Sequence, residues 1–106
     1  MIINKDNVQD LAWEKMDGLI PAIIQHQATG AILMQGFMNQ ESLAATLSSN
    51  KATFYSRSKQ ALWTKGETSG NFLQVSQVLS DCDQDSLLIA CTPVGPGSHL
   101  DMGPCF

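Results

Sequence analysis

Charge is scarce in this chain. Asp, Glu, Lys and Arg make up 15% of its 106 residues, and six of them are basic. Six cations are too few for the basic footprint that nucleic-acid binding requires, so no nucleic-acid partner is expected. Long apolar runs are also missing. Nothing approaches the ~20 residues that cross a bilayer, so no membrane partner is expected either. The opening Met1-Ile2-Ile3-Asn4-Lys5-Asp6 turns polar at once, unlike a secretory signal. Cysteine is sparse and odd in number, at three, which leaves no paired disulfide framework. These absences point to a cytoplasmic protein with reduced thiols, a setting in which cysteine serves metal sites more readily than cross-links. The length fits one domain with a modest core, spanning 1–106. So little charge on a small surface also implies that part of that surface is hidden, as in an oligomer.

What charge there is falls in clusters. Three of the six basic residues, Arg57, Lys59 and Lys65, lie within nine positions. Three of the ten acidic ones, Asp81, Asp83 and Asp85, lie within five, interleaved with Cys82 and Gln84. Like charges so close repel one another, and a cation relieves that repulsion. Carboxylate oxygens suit Mg²⁺ or Ca²⁺, and a thiolate suits Zn²⁺. A solvated acidic turn is the plain alternative. A basic segment and an acidic segment on one small domain match a phosphate and a metal respectively.

The chain reads as strand-rich with one clear helix, an α+β domain without repeat or linker. Residues 6–17 are an irregular or short helical lead-in. Leu19 to His26 is a strand that tolerates Pro21, Gln27 to Gly30 a turn, and Ala31 to Phe37 the returning strand of a hairpin. Asn39 caps a helix with Leu43, Ala44 and Leu47 on its apolar stripe, ended by Ser48-Ser49-Asn50. Thr53 to Ser56 is a strand, 57–70 a loop or ribbon. Phe72 to Leu79 alternates strictly, with Phe72, Gln74, Ser76 and Val78 on one face and Leu73, Val75, Gln77 and Leu79 on the other. Ser86 to Thr92 is the last strand, so the acidic cluster is held between two rigid elements. The tail from Pro93 to Phe106 is rich in proline and glycine and is expected to be irregular.

Within the ribbon, Trp63-Thr64-Lys65-Gly66-Glu67-Thr68-Ser69-Gly70 combines a cation, an acid, hydroxyls and two glycines. Such a segment can cradle a phosphate with backbone N–H groups and Lys65, or be an ordinary polar turn. It lacks the spacing of a Walker loop. Cys91 shares a strand face with Leu87 and Ile89, so it is a core thiol. Cys82 and Cys105 are free to meet at a metal, with His99 the candidate third ligand by type. His26 fits a satisfied core or edge histidine better than a ligand.

These segments resemble phosphoribosyl-AMP cyclohydrolase, of the third step of histidine biosynthesis. The resemblance runs from about Leu11 to Phe106. It is carried by Trp13-Glu14-Lys15, Gly18-Leu19-Ile20-Pro21, Ile24-Gln25-His26, Leu33-Met34, Phe37-Met38-Asn39, Tyr55 to Gln60, Leu62 to Phe72, and Asp81-Cys82-Asp83-Gln84-Asp85. It implies an intertwined homodimer with active sites at the subunit interface, and two metals. Asp81, Asp83 and Asp85 match the Mg²⁺ ligands. Cys82 and Cys105 match two of three zinc cysteines, and the third position, sixteen after Cys82 and seven before Cys105, holds Ser98. A serine hydroxyl is a far weaker zinc ligand than a thiolate. The usual glycine two places after His99 is Asp101, and Gly103-Pro104 replaces small hydroxyl residues before Cys105. The zinc site is therefore weak, rebuilt around His99 or Asp101, or absent.

The reaction the resemblance implies is hydrolysis of the N1–C6 bond of the adenine ring of phosphoribosyl-AMP, opening it to a formimino carboxamide. Zinc can bring the pKa of a bound water to about 7. By chemistry, Arg57, Lys59 and Lys65 suit the substrate's phosphates, Trp63 can stack on the base, and Glu67 and Ser69 belong to the same substrate segment. His99 is the candidate proton carrier. The competing class is a homologue that binds metal or nucleotide without catalysis. Some relatives continue into a phosphoribosyl-ATP pyrophosphatase domain, so a single-domain protein and the front half of a longer one both stay open.

Overall fold

A computed structural model describes residues 1–95. The lead-in wraps the domain. A short 3-10 helix, Val8–Asp10, is followed by turns that bury Trp13, whose indole N–H donates to the Val8 carbonyl at 2.9 Å. The indole is thus buried with its one polar group satisfied.

Four strands form the main sheet. β1 (Ile20–His26) and β2 (Ile32–Met38) make the expected antiparallel hairpin, β5 (Phe72–Ser80) and β6 (Leu87–Val94) make a second, and the order is β2-β1-β6-β5. The two hairpins join through a parallel β1–β6 pair at the centre, where Ala22 lies opposite Leu87 and Ile24 opposite Ile89. His26, at the end of β1, is half-buried, and its Nδ1 accepts the Ala28 N–H at 3.1 Å. It closes an interior strand, with Nδ1 taken up by the turn that follows.

One face of the sheet carries the core: Ile20, Ala22, Ile24, Met38, Leu73, Val78, Leu87, Ile89 and Cys91. Over it lie the helix α1 (Gln40–Ser49) and a two-stranded ribbon, β3 (Thr53–Ser56) and β4 (Ala61–Thr64). Asn39 caps α1 as its sequence requires, accepting from the Ser42 N–H while the Ser42 hydroxyl accepts from the Asn39 N–H. Asn50 closes the helix in a left-handed conformation at φ 61°. Of segment 57–70, Ala61–Thr64 is the ribbon's second strand, fully paired with β3, and the residues on either side of it are turns.

Two expectations need correction. The strict alternation of Phe72 to Leu79 breaks at a bulge. Val75 lies opposite Cys91 and Gln77 opposite Ala90, leaving Ser76 as the extra residue. A single inserted residue reverses the phase of a strand, so Leu73 and Val78 are both buried although their sequence separation is odd. A second bulge in the β1–β2 hairpin leaves Leu33 extra, and Leu33 and Met34 are buried in succession. Finally, the last strand does not stop at Thr92. Pro93 lies opposite Leu73 and Val94 opposite Phe72. The pairing with β1 ends at Cys91, so β6 continues as an edge strand, a position that tolerates proline.

Candidate functional site

Two chemically distinct regions lie at opposite ends of β5. At its start, the ribbon and the turn that follows enclose an open pocket of about 480 Å³. Its lining includes Lys59, Trp63, Lys65, Glu67 and Ser69, five of the six residues expected to meet substrate. Arg57, the sixth, does not line it. Its guanidinium lies over the Phe37 ring, 4.4 Å from the centroid, a cation–π arrangement that fixes its direction. Ser56, Thr64 and Thr68 also line the pocket; Thr64 and Thr68 belong to the segment read as a possible phosphate cradle, and Ser56 had been assigned no role.

The pocket is rigid for reasons that run back to the core. Trp63 stacks on buried Phe54 with ring centroids 5.0 Å apart. Phe54 in turn seats on Gly36 of β2, where a Cβ would come within 2.7 Å of its ring. The bare backbone of Gly36 thus sets the height of the Trp63 wall. Beyond the ribbon, Gly66 turns the chain at φ 91°, and a Cβ there would collide with the Asn71 backbone. The Gly70 N–H donates to the Gly66 carbonyl at 2.7 Å, and the Glu67 N–H to the Thr64 carbonyl at 3.0 Å. Those two donors build the turn and are not offered to an anion, while Lys59 and Lys65 bring positive charge to the pocket lining. Glu67 Oε2 accepts from the Thr64 N–H at 3.3 Å and Ser69 Oγ from the Asn71 N–H at 3.2 Å, so both also stabilise the turn.

At the far end of β5, Asp81 to Ser86 form the tight connection to β6. Asp81 Oδ1 accepts the backbone N–H groups of Asp85 at 3.0 Å and Ser86 at 3.2 Å, and Gln84 takes a left-handed conformation at φ 61°. This folds the turn back on itself and gathers oxygens of Asp81, Asp83 and Asp85 to within 4.8 Å of one another. Hard oxygens at that spacing suit a divalent cation. Lys15 Nζ bonds Asp85 Oδ2 at 2.9 Å, the one ion pair among the described residues. Bonds from Lys15 and Asp81 hold the Asp85 carboxyl below the usual carboxylate range, and the same bond to Asp85, with the Asp81 and Asp83 charges, raises the Lys15 ammonium. Lys15 had not been singled out as part of this region: seventy residues separate it from Asp85, and no local pattern links them.

The two described thiols differ in burial. Cys91 is fully buried, and burial pushes it up to about 12, which makes it inert. Cys82 is exposed on the acidic turn. Cys105, Ser98 and His99 lie outside the described residues, so Cys82 is the one zinc-type donor placed beside the carboxylates. The turn fits a hard cation; a thiolate set for zinc is not assembled among the described residues.

A phosphoribosyl-AMP cyclohydrolase family model matches residues 34–106. Full-length similarity agrees. The histidine biosynthesis bifunctional protein HisIE of Yersinia pestis is 51% identical over 105 residues, covering 99% of this chain and 52% of that protein. The HisIE proteins of Escherichia coli K12 and Photobacterium profundum are 51% and 52% identical over 99% and 93% of this chain. This small α+β domain, with its acidic turn and cationic pocket, belongs to the phosphoribosyl-AMP cyclohydrolase family. The chain spans about half the length of these curated relatives, 52% of the first two.

Proposed function

We propose that residues 1–106 form a cyclohydrolase domain that opens the adenine ring of phosphoribosyl-AMP at N1–C6 in histidine biosynthesis, in the cytoplasm. The observation that carries this reading is the acidic turn: in a chain of this family, oxygens of three carboxylates converge within 4.8 Å of one another, an arrangement that suits a divalent cation. Asp81, Asp83 and Asp85 would hold Mg²⁺. Cys82 and Cys105 would supply thiolates for Zn²⁺, with Ser98 or His99 completing the set. A bound cation would supply positive charge to acidify water at neutral pH. The chain's own residues bind and orient: Lys59 and Lys65 meet the phosphates, the Trp63 face receives the base, Arg57 is held ready by Phe37, and His99 carries a proton.

The reading also calls for a homodimer. β5 separates the pocket from the acidic turn by nine residues, or about 25 Å at the rise of a strand. One small substrate cannot touch both ends of β5 in a single subunit. Two subunits packed antiparallel would bring the pocket of one to the turn of the other. The sheet's outer face supports such packing, because Pro21, Ile23, Leu79 and Leu88 point away from the core, with Ile23 exposed and the others half-buried.

The test is ring opening of phosphoribosyl-AMP, followed by ultraviolet absorbance on metal-stripped protein given Mg²⁺ and then Zn²⁺. Zinc-dependent turnover is expected. Silence at every zinc level, with activity restored by Ser98→Cys, would instead mark a homologue that keeps the architecture without the chemistry.

A further inference from the structure

We propose that Lys15 is a built-in counter-ion of the acidic turn, occupying Asp85 when no metal is bound and thereby weakening and tuning the turn's hold on a divalent cation. The inference rests on the cation-binding reading of that turn and adds to it a residue from a distant segment.

Three observations carry it. The Lys15 ammonium is 2.9 Å from Asp85 Oδ2, so an oxygen of one of the three converging carboxylates is already taken by a cation. The other two carboxylates lack such a partner: Asp81 Oδ1 faces backbone N–H groups, and no ion pair reaches Asp83 among the described residues. The lead-in is also fixed against the turn, since the Ala12 N–H donates to the Gln84 carbonyl at 2.8 Å, three residues before Lys15. The ammonium is therefore delivered to the turn by backbone pairing rather than by chance proximity of a long side chain.

The charge argument sets the direction. Three carboxylates without a counter-ion repel one another, and one ammonium lowers the net charge of the cluster. A divalent ion arriving at the turn meets a site already partly neutralised, and must either displace Lys15 from Oδ2 or bind beside it. Either route lowers affinity relative to the bare cluster. Because the Lys15 side chain is 61% exposed, solvent and salt screen the effect, which is then a few-fold change in affinity.

The experiment is isothermal titration of metal-stripped protein with Mg²⁺, and separately with Mn²⁺, comparing the unaltered chain with Lys15→Met and Lys15→Arg. Lys15→Met should bind about three- to fivefold more tightly at low salt, a gap that narrows as salt is added. Lys15→Arg, which keeps the charge, should stay close to the unaltered chain. Thermal melts give an independent readout: Lys15→Met should lower the midpoint of the metal-free protein and leave that of the metal-saturated protein nearly unchanged. Equal or weaker binding by Lys15→Met would overturn the counter-ion role and show that Lys15 instead orients Asp85 for the metal. Asp83→Asn separates the two levels of the argument. If the unaltered chain, Lys15→Met and Asp83→Asn all fail to bind either ion, the cation-binding reading of the turn falls and this inference with it.

Discussion

The two ends of β5 solve the same problem, holding functional groups still in a short turn, by opposite means. The pocket end relies on backbone. Gly66 permits a conformation no side chain tolerates there, and Gly36 lets Phe54 and Trp63 stack against the sheet. The acidic end places no glycine between Ser80 and Leu87 and relies on side chains, with Asp81 gripping the N–H groups of Asp85 and Ser86. The lesson is that the first region fails by steric collision and the second by loss of hydrogen bonds, so they should respond to mutation on different scales.

Gly66→Ala gives the largest expected effect. A Cβ would strike the Asn71 backbone at a φ that alanine resists, and a loss of about 3 kcal/mol or more should follow, read by urea denaturation. Between the two ends, Cys91 sets an alkaline limit common to both. Burial raises its thiol from 9.0 to about 12, so its contribution is intact below pH 9 and declines as the unfolded chain ionises, by about 1.4 kcal/mol per pH unit until the folded thiol ionises too. Cys91→Ala should flatten that limb of the stability–pH curve. At the acidic end, Asp81→Ala should cost about 1 kcal/mol or more through the two hydrogen bonds lost from one acceptor oxygen, whereas Asp83→Ala should leave stability unchanged or improved by relief of repulsion; both should abolish metal-dependent turnover. Gln84→Gly should stabilise by about 0.5–1 kcal/mol, since glycine accepts the left-handed conformation without strain. The smallest effect belongs to the Lys15–Asp85 pair. Its stabilisation is present above the ordinary carboxylate pKa of 3.8 and disappears as pH falls through the lower folded value. For the lysine it is present below 10.5 and disappears as pH rises through the higher folded value. Lys15→Met should remove both shoulders from melts followed across pH.

Much of this architecture could be read from residues that act locally. Asn39 announces a helix because its side chain caps within three residues, and Cys91 declares itself buried by its place two and four positions after Ile89 and Leu87. The acidic turn and the pocket segment were legible as clusters because each is continuous in sequence. What escaped depends on partners elsewhere. The bulge at Ser76 is set by the strand opposite, which no alternation within Phe72 to Leu79 reveals. Pro93 joins β6 only because β1 has ended. Lys15 reaches Asp85 across most of the chain. The glycines after Lys65 suggested an anion cradle, but the Gly70 amide is spent on the Gly66 carbonyl within the turn, a distinction that composition does not carry.

The parallel pairing of β1 with β6 has a kinetic consequence. Ile23 meets Leu88 at the centre of the sheet, so the two hairpins are local but the seam that unites them closes a loop of more than sixty residues. Loop closure of that span is entropically expensive before it yields any burial. Each hairpin can therefore form early, while the core that Ile24 shares with Ile89 must wait for the last strand to arrive. During synthesis, the nascent chain would carry the apolar edge of β1 unprotected for most of its length. Amide exchange along β1 should accordingly report global unfolding rather than local fraying, and shield or release all its protons together with those of β6.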